Sequence, residues 1–503
     1  MIREQYERLK MGQDLRKTLI ELKQELKEET SKQELLEILQ GDYSLLAKML
    51  EESDPKVRKN AALVLGKLGQ DENVPLLYQA YEKEQRLFVK SDYLKALKGL
   101  DCSACMGGLR KRLKQLEAYR PAMEEEKHIR EELSALRKLV DKGMVHRRHR
   151  FQGYDAVWEV ILTTGKQYQQ ITAGQIKEGK VTILKSGVRV YTSRLKSILR
   201  IPTYRELLFP LNVKRIPSDS RQAAKALAQS DLLEMLQRAH GAEDAFYFRL
   251  SLHSPRVLDQ RSAFVKKCSF ALEQETGGRL KNSASDYELE IRLMENRDGE
   301  FLPLVKLFTF GEERFPYRKH AVAASIKPEQ AALIVRLAKP YMAEQAQVLD
   351  PFCGVGTMLI ERDKVCPAKV MYGIDIFGEA IAKAKENTEL AGREVYYINR
   401  DFFEFTHKYL FDEIITDMPE RGKKSRAELD ELYAAFFDRA GQLLEEQGII
   451  IVYCNEKNYI KKQLRLHKEF TLLREFGMDE KENYFLFIIR KGLIRCDKEA
   501  LEV

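Results

Sequence analysis

Asp350-Pro351-Phe352-Cys353-Gly354-Val355-Gly356-Thr357 comes directly after the apolar pair Val348-Leu349. The pair and Asp350 read as the end of a buried strand, and Thr357-Met358-Leu359-Ile360 reads as the opening of a helix. Between them, Gly354 and Gly356 permit a tight turn and a close approach of backbone to a ligand. A glycine loop between strand and helix is where α/β sheets hold nucleotide-like groups. The Lys-Ser/Thr of a phosphate loop does not come next, and the glycine spacing of dinucleotide sites is missing too. A loop led by an acidic residue suits instead a ligand with a cationic amino group, and S-adenosylmethionine is such a ligand.

The strands expected downstream agree with that reading. Val370-Met371-Tyr372-Gly373-Ile374 ends in Asp375-Ile376, and a carboxylate at that point accepts hydrogen bonds from ribose hydroxyls. Residues 395–398 lead into Asp401-Phe402, a polar and an aromatic group suited to the edge and face of adenine, with helix capping the alternative role for Asp401. Residues 413–416 deliver Asp417-Met418-Pro419-Glu420. Further strands are expected at 448–454, 470–476 and 484–489. Helical patterns separate the earlier strands, which implies a doubly wound parallel sheet. The last two strands have no room for a helix between them and should form an antiparallel hairpin at the sheet edge.

The loop at 350–357 together with Asp417-Met418-Pro419 resembles the family that methylates exocyclic amines of nucleobases, and within it the THUMP-containing RNA guanine-N2 methyltransferases. Residues 317–328 are similar to the segment those enzymes place before the first strand, and 282–288 to the last part of a THUMP domain. The resemblance covers about the C-terminal third of the chain. It implies a Rossmann-like domain with S-adenosylmethionine as cofactor, held by Asp350, Pro351, Phe352, Gly354, Gly356, Thr357, Asp375, Ile376, Asp401 and Phe402. It implies catalysis by Asp417, Met418 and Pro419, no metal, and RNA as partner, transfer RNA ahead of ribosomal RNA. The family's residue after the proline is usually an aromatic that stacks on the extruded base; this chain has Glu420, then Arg421-Gly422-Lys423-Lys424. Phe402 and Phe403 are the rings that could supply the stack instead.

The chemistry explains the residue types. A sulfonium is an activated methyl donor, so the protein has to align the methyl carbon with a nucleophile and improve that nucleophile. An exocyclic amine is a poor one because its lone pair is delocalised into the ring. The Asp417 carboxylate and the Met418 carbonyl are acceptors that could draw it toward a tetrahedral form, and Pro419 stiffens the turn. The target base has to leave its stack to reach them unless it is single-stranded.

Toward the N-terminus, Asp54-Pro55 and the apolar helical pattern through Gly69 resemble the second helix of a HEAT-type repeat, with an echo at 89–100. Residues 1–145 are expected to be a helical-repeat domain, a docking surface for a protein partner or a purely structural array, and removable without unfolding the remaining domains. Residues 146–218 are expected to be a ferredoxin-like α+β subdomain, 219–312 a THUMP-like RNA-binding domain and 313–495 the methyltransferase. The charge run 146–150 marks the first boundary. Strands are expected at 157–163, 170–173, 181–184, 188–191, 246–252, 287–294 and 303–308, and helices at 223–239 and 264–275. Arg249, Lys266, Lys267, Arg279 and Lys281 are candidate phosphate partners.

Bulk properties fit. The 503 residues suffice for several domains, and the net charge of +8 favours an anionic partner. Seven scattered cysteines include one pair, Cys102 and Cys105, without the further ligands of a zinc site, so reduced thiols in a cytoplasm are expected. The polar start is not a signal peptide, and no apolar run approaches the ~20 residues of a membrane span. The leading function is methylation of guanine's exocyclic amine in RNA. Adenine-amine methylation, an RNA-binding protein that only senses the cofactor, and a protein substrate are the alternatives.

Overall fold

The computed structural model describes all residues except 141–147, 214, 243, 312, 324, 423, 480–482 and 493–503. His146 and Arg147 of the charge run, Lys423, the middle of the 477–483 connection and the expected boundaries near 145, 312 and 495 lie outside the described residues. The chain opens with α1 (Ile2–Lys10), α2 (Leu15–Glu25), α3 (Glu29–Leu39), α4 (Ser44–Met49) and α5 (Pro55–Leu68). It continues with α6 (Val74–Lys83), α7 (Leu87–Leu97), α8 (Met106–Ala118) and α9 (Glu126–Val140). Next come β1 (Trp158–Thr163), α10 (Gln169–Ala173), β2 (Lys180–Leu184), β3 (Gly187–Thr192), α11 (Leu195–Leu199) and β4 (Leu207–Pro210). After these stand α12 (Ser220–Ala228), α13 (Leu232–His240), β5 (Phe246–His253), α14 (Leu258–Glu275), β6 (Leu280–Asn282), β7 (Leu289–Glu295) and β8 (Phe301–Leu307). The C-terminal part begins with α15 (Pro328–Ala338), β9 (Gln347–Asp350), α16 (Thr357–Val365), β10 (Val370–Asp375), α17 (Gly378–Leu390) and β11 (Tyr396–Asn399). It ends with β12 (Phe411–Asp417), α18 (Arg426–Leu443), β13 (Leu444–Cys454), α19 (Lys457–Leu466), β14 (Phe470–Asp479) and β15 (Tyr484–Lys491).

These elements form two compact units: residues 1–150, 212–237 and 242–303 make one, and 151–211, 238–241 and 304–503 the other. In the first, α5 shows how the repeats form. Asp54 accepts the Lys56 N–H at 2.8 Å, Pro55 opens the helix and Gly69 closes it in the left-handed conformation. Val57, Ala61, Val64, Leu65 and Leu68 make its buried face. The same core runs from Ile2 to Val140 and takes in Phe270 of α14. Arg137 of α9 pairs with Glu273 of α14, and with Glu117 of α8 at 3.1 Å. The repeats thus share a core with the segment after residue 212, which revises the expectation that they can be removed cleanly. In this unit β5 pairs in parallel with β6 and β7. The single helix expected at 223–239 is two, α12 and α13. Ser230 bonds the Leu227 carbonyl at 2.6 Å and takes the Leu232 N–H at 3.2 Å, so a local side chain competes with the helix ladder.

In the second unit, β1 to β4 form an antiparallel sheet in the order β2-β3-β1-β4, with α10 and α11 as the two crossovers. Residues 170–173, expected as a strand, belong to α10. Thr172 is buried there with its hydroxyl 2.9 Å from that of Thr203, so packing overrides the β-branched local preference. The pattern at 207–210 and 280–282 is too short to suggest β4 and β6.

The large sheet of this unit has the order β11-β10-β9-β12-β13-β15-β14. It is parallel from β11 to β13, and β15 runs antiparallel to both β13 and β14. The expected doubly wound sheet and closing hairpin are both present, with β14 at the edge. Strand order reverses between β9 and β12, which places a crevice at their C-terminal ends. Arg362 of α16 donates to both oxygens of Glu413 on β12, at 3.0 and 2.9 Å, and both residues are buried. Among the described residues, no helix is long and apolar enough to cross a membrane.

Removing residues 1–140 uncovers Phe270 and leaves Glu273 buried without its arginine. Amide hydrogen exchange should show residues 212–303 losing protection in that truncation, and unchanged protection would refute the shared core.

Candidate active site

The carboxylates sit together because parallel strands deliver them. Gly373 pairs with Asp350 across β10 and β9, and Ile414 with Leu349 across β12 and β9. Asp350, Asp375 and Asp417 therefore finish their strands on one edge, with Asp401 just past β11. They line a single cavity of about 370 Å³. Pro351, Phe352, Gly354, Thr357, Ile376, Phe402, Met418, Pro419 and Glu420 line it too.

The glycine loop is drawn over the strand ends by hydrogen bonds. Asp375 accepts the Gly354 N–H at 2.9 Å with one oxygen and the Phe377 N–H at 2.8 Å with the other. Gly354 has φ +52°, and a Cβ there would meet only open space, which is the cavity. Gly356 has φ +80°, and its Cβ would fall 2.1 Å from the Tyr397 hydroxyl oxygen. Among the expected residues, Gly356 alone does not line the cavity; it makes the turn that lets α16 begin.

Asp350 is 1% exposed. It accepts the Thr416 hydroxyl at 2.8 Å and the Phe352 N–H at 3.1 Å. Burial outweighs these bonds, and with a push from the Asp375 charge it raises the carboxyl pKa to about 7. Asp417 is also raised well above the ordinary range, first by burial and then by the charges of Asp350 and Glu420. Lys424 also lines the cavity, yet among the described residues no lysine or arginine forms an ion pair with Asp350, Asp375 or Asp417, so these crowded carboxylates favour a cationic ligand.

The other expected residues divide between wall and rim. Asp401 accepts the Phe403 N–H at 2.9 Å, so it caps the short turn Phe402–Glu404 and lines the cavity as well. Phe402 is 1% exposed, packed on Phe352 at 5.7 Å and on Phe436 at 6.1 Å. Its ring is cavity wall, not a free stacking plate. Ile376 is 59% exposed and its neighbour Phe377 66%, so the two present apolar surface at the rim. Met418 donates its N–H to the Tyr453 carbonyl at 2.9 Å, which fixes the peptide ahead of Pro419.

Sequence reasoning missed Val322, Ser325 and Ile326, which line the cavity from the segment before α15. Asn387, fully buried on α17, staples this segment. It accepts the His320 N–H at 3.0 Å and donates to the carbonyls of His320 and Val355 at 3.0 and 3.2 Å. A buried asparagine inside an amphipathic helix was the available signal. Among the phosphate candidates, Arg249 pairs with Glu290 at 3.3 Å and Lys281 with Glu117 at 3.5 Å, whereas Lys266 lines an open groove with Arg130 and Lys138.

The residues present fit S-adenosylmethionine. Thr357 carries a buried hydroxyl without a partner at the cavity wall, at the start of α16. That hydroxyl and helix terminus suit a carboxylate, the acidic strand ends suit an ammonium and ribose hydroxyls, and the apolar rim suits a base.

Comparison with known proteins agrees. Residues 316–479 match the model of the RMKL-like methyltransferase domain, and residues 13–98 match HEAT repeats. A tRNA (guanine(10)-N2)-dimethyltransferase of Methanothermobacter thermautotrophicus is 27% identical over 172 residues, 34% of this chain. The chain spans about half the length of that curated relative (49%). The crystal structure of TrmN from Thermus thermophilus superposes with a TM-score of 0.50 at 18% identity, covering 67% of this chain and 99% of that one. A putative methyltransferase complexed with SAH gives a TM-score of 0.50 at 12% identity, over 67% and 98% of the two chains. At these identities the structural likenesses speak for the fold.

The two glycines should separate in mutation. Gly354→Leu fills the cavity and should weaken cofactor binding at least tenfold in calorimetry, with a stability cost of only about 1–2 kcal/mol from its left-handed backbone. Gly356→Ala should instead destabilise the fold by on the order of 2–4 kcal/mol in denaturant melts. Equal affinity in Gly354→Leu would exclude the loop as the binding site.

Asp350 with a pKa of about 7 is largely protonated in the free protein at pH 6. A cationic ligand favours the ionised form, so binding should release a proton below pH 7 and affinity should rise toward pH 8. The slope should approach roughly tenfold per pH unit on the acid side. Calorimetry in buffers of different ionisation heats reads both effects, and a flat profile from pH 6 to 8 would refute them.

Proposed function

We propose that this chain is an S-adenosylmethionine-dependent RNA methyltransferase acting on the exocyclic amine of guanine. The observation that carries the reading is the Thr416–Asp350 bond: it ties the glycine loop to the acid–proline strand, so cofactor-type and nucleophile-type groups face one cavity. The matching methyltransferase model supports the reaction class, and the curated relative's printed substrate favours transfer RNA.

Bound in the cavity, the cofactor would supply an activated methyl group on a sulfonium. Asp417 would accept an N–H of the target amine, and the Met418 carbonyl would be the second acceptor, one peptide on from the Met418 N–H that bonds the Tyr453 carbonyl. The amine would take that methyl as the sulfonium leaves as a neutral thioether. The nitrogen's surplus proton passes to Asp417. Its raised pKa makes it a competent acceptor, and the positive charge of the bound cofactor would keep it ionised beforehand.

The wider organisation belongs to the same proposal. The β1-α10-β2-β3-α11-β4 succession in the order β2-β3-β1-β4 supports a ferredoxin-like subdomain at 146–218. Helices α12 to α14 with parallel β5, β6 and β7 support an RNA-docking, THUMP-like role for 219–312. The helical repeats offer a protein partner a surface, and a cytoplasmic setting suits an RNA substrate.

Incubating the protein with total RNA and labelled cofactor, then analysing nucleosides by mass spectrometry, should yield N2-methylated guanosine. Asp417→Ala should lower transfer by roughly 10²–10⁴-fold while cofactor binding survives. Label in N6-methyladenosine alone, or turnover near wild type in the variant, would overturn the assignment.

A further inference from the structure

Glu420 occupies the place where an aromatic was expected. It lines the same cavity as Asp417, Met418 and Pro419. One of its oxygens accepts the Tyr484 hydroxyl. The Tyr484 ring stacks on Tyr453 at 4.8 Å and 15°, and Tyr453 is the residue whose carbonyl holds the Met418 N–H at 2.9 Å. The ends of β12 and β13 and the start of β15 thus aim this carboxylate. Among the described residues no lysine or arginine comes within ion-pair distance of it. A second oxygen remains for a donor arriving in the cavity.

The two candidate purines differ at the edge such a group would meet. Guanine presents two kinds of donor side by side, the N1–H and the exocyclic N2–H groups. Adenine presents the unprotonated N1 beside its amine, so a carboxylate there meets a lone pair. An ionised carboxylate can accept but not donate, and charge-assisted bonds are the stronger kind.

Resting on the function proposed above, we infer that Glu420 is the base-selecting residue: with Asp417 taking an N2–H, its free oxygen accepts guanine N1–H, and Tyr484 orients it. The departure at this position then marks a change from reading the face of the base to reading its edge. A site built around a hydrogen bond rejects a substrate lacking the donor far more strongly than an apolar pocket could.

The test uses full-length protein, labelled cofactor and unmodified transfer RNA transcripts, with nucleoside mass spectrometry as readout. Once the methylated guanine is located, a synthetic RNA carries 2-aminopurine there, which keeps the amine and lacks N1–H. Wild type should prefer guanine over 2-aminopurine at least tenfold in kcat/KM. Glu420→Gln and Glu420→Ala should lose at least tenfold on guanine while their rate on 2-aminopurine changes little, so the preference collapses. Tyr484→Phe should fall between. Melting curves and cofactor affinity, measured in parallel, show that the fold and donor site are intact. A guanine preference unchanged in both Glu420 variants would overturn this inference and leave the methyltransferase reading standing. No methylated guanosine from wild type on any RNA would overturn that reading, and the inference with it.

Discussion

The hydrogen bond from Thr416 to Asp350, at 2.8 Å in the interior, is the constraint around which the catalytic half is arranged. A bond to a charged group contributes about 1.5–3 kcal/mol, whereas burying a carboxylate costs several. Two such bonds leave Asp350 undercompensated, which is why its pKa climbs toward neutrality. The fold tolerates this because the surrounding sheet is stiff. Arg362 and Glu413 lock α16 to β12 a few residues behind, and that pair is satisfied in full. One buried ion pair is balanced within the protein, whereas among the described residues no lysine or arginine pairs with Asp350, Asp375 or Asp417 in front of it.

That imbalance links architecture to chemistry. A parallel sheet sends every strand's C-terminal end to one edge, so a short acidic residue at each end suffices to concentrate charge. The strand reversal between β9 and β12 opens the space where that charge can be used. The glycine loop then needs only two backbone departures, one facing the cavity and one making room for Tyr397.

Much of this was legible in the sequence, for reasons tied to particular residues. The apolar runs ending in Asp350, Asp375 and Asp417 mark parallel strands whose ends meet at one edge, and the short span before Tyr484 forces a hairpin. Less visible are features decided by packing. The 170–173 segment reads as a strand by composition and is helical because Thr172 meets Thr203 in the interior. Phe402 reads as a free ring and is walled in by Phe352 and Phe436. Val322, Ser325 and Ile326 show no site signal in the sequence, and contacts from α17, Asn387 to His320 foremost, help bring their segment to the cavity. The sharing of Phe270 with the repeats joins residues too far apart for any periodicity to register.

Tyr168, which precedes α10, donates its hydroxyl to the Gly477 carbonyl on β14 at 2.8 Å and is buried in the core of the large sheet. Through this residue the small antiparallel sheet and the large sheet are packed against each other. Whatever grips the face of the former finds its reach to Asp417 set in advance, as on a caliper locked at one opening. Under the proposed function that spacing would act as a ruler for a docked RNA, with the choice among bases left to the jaw at the far end.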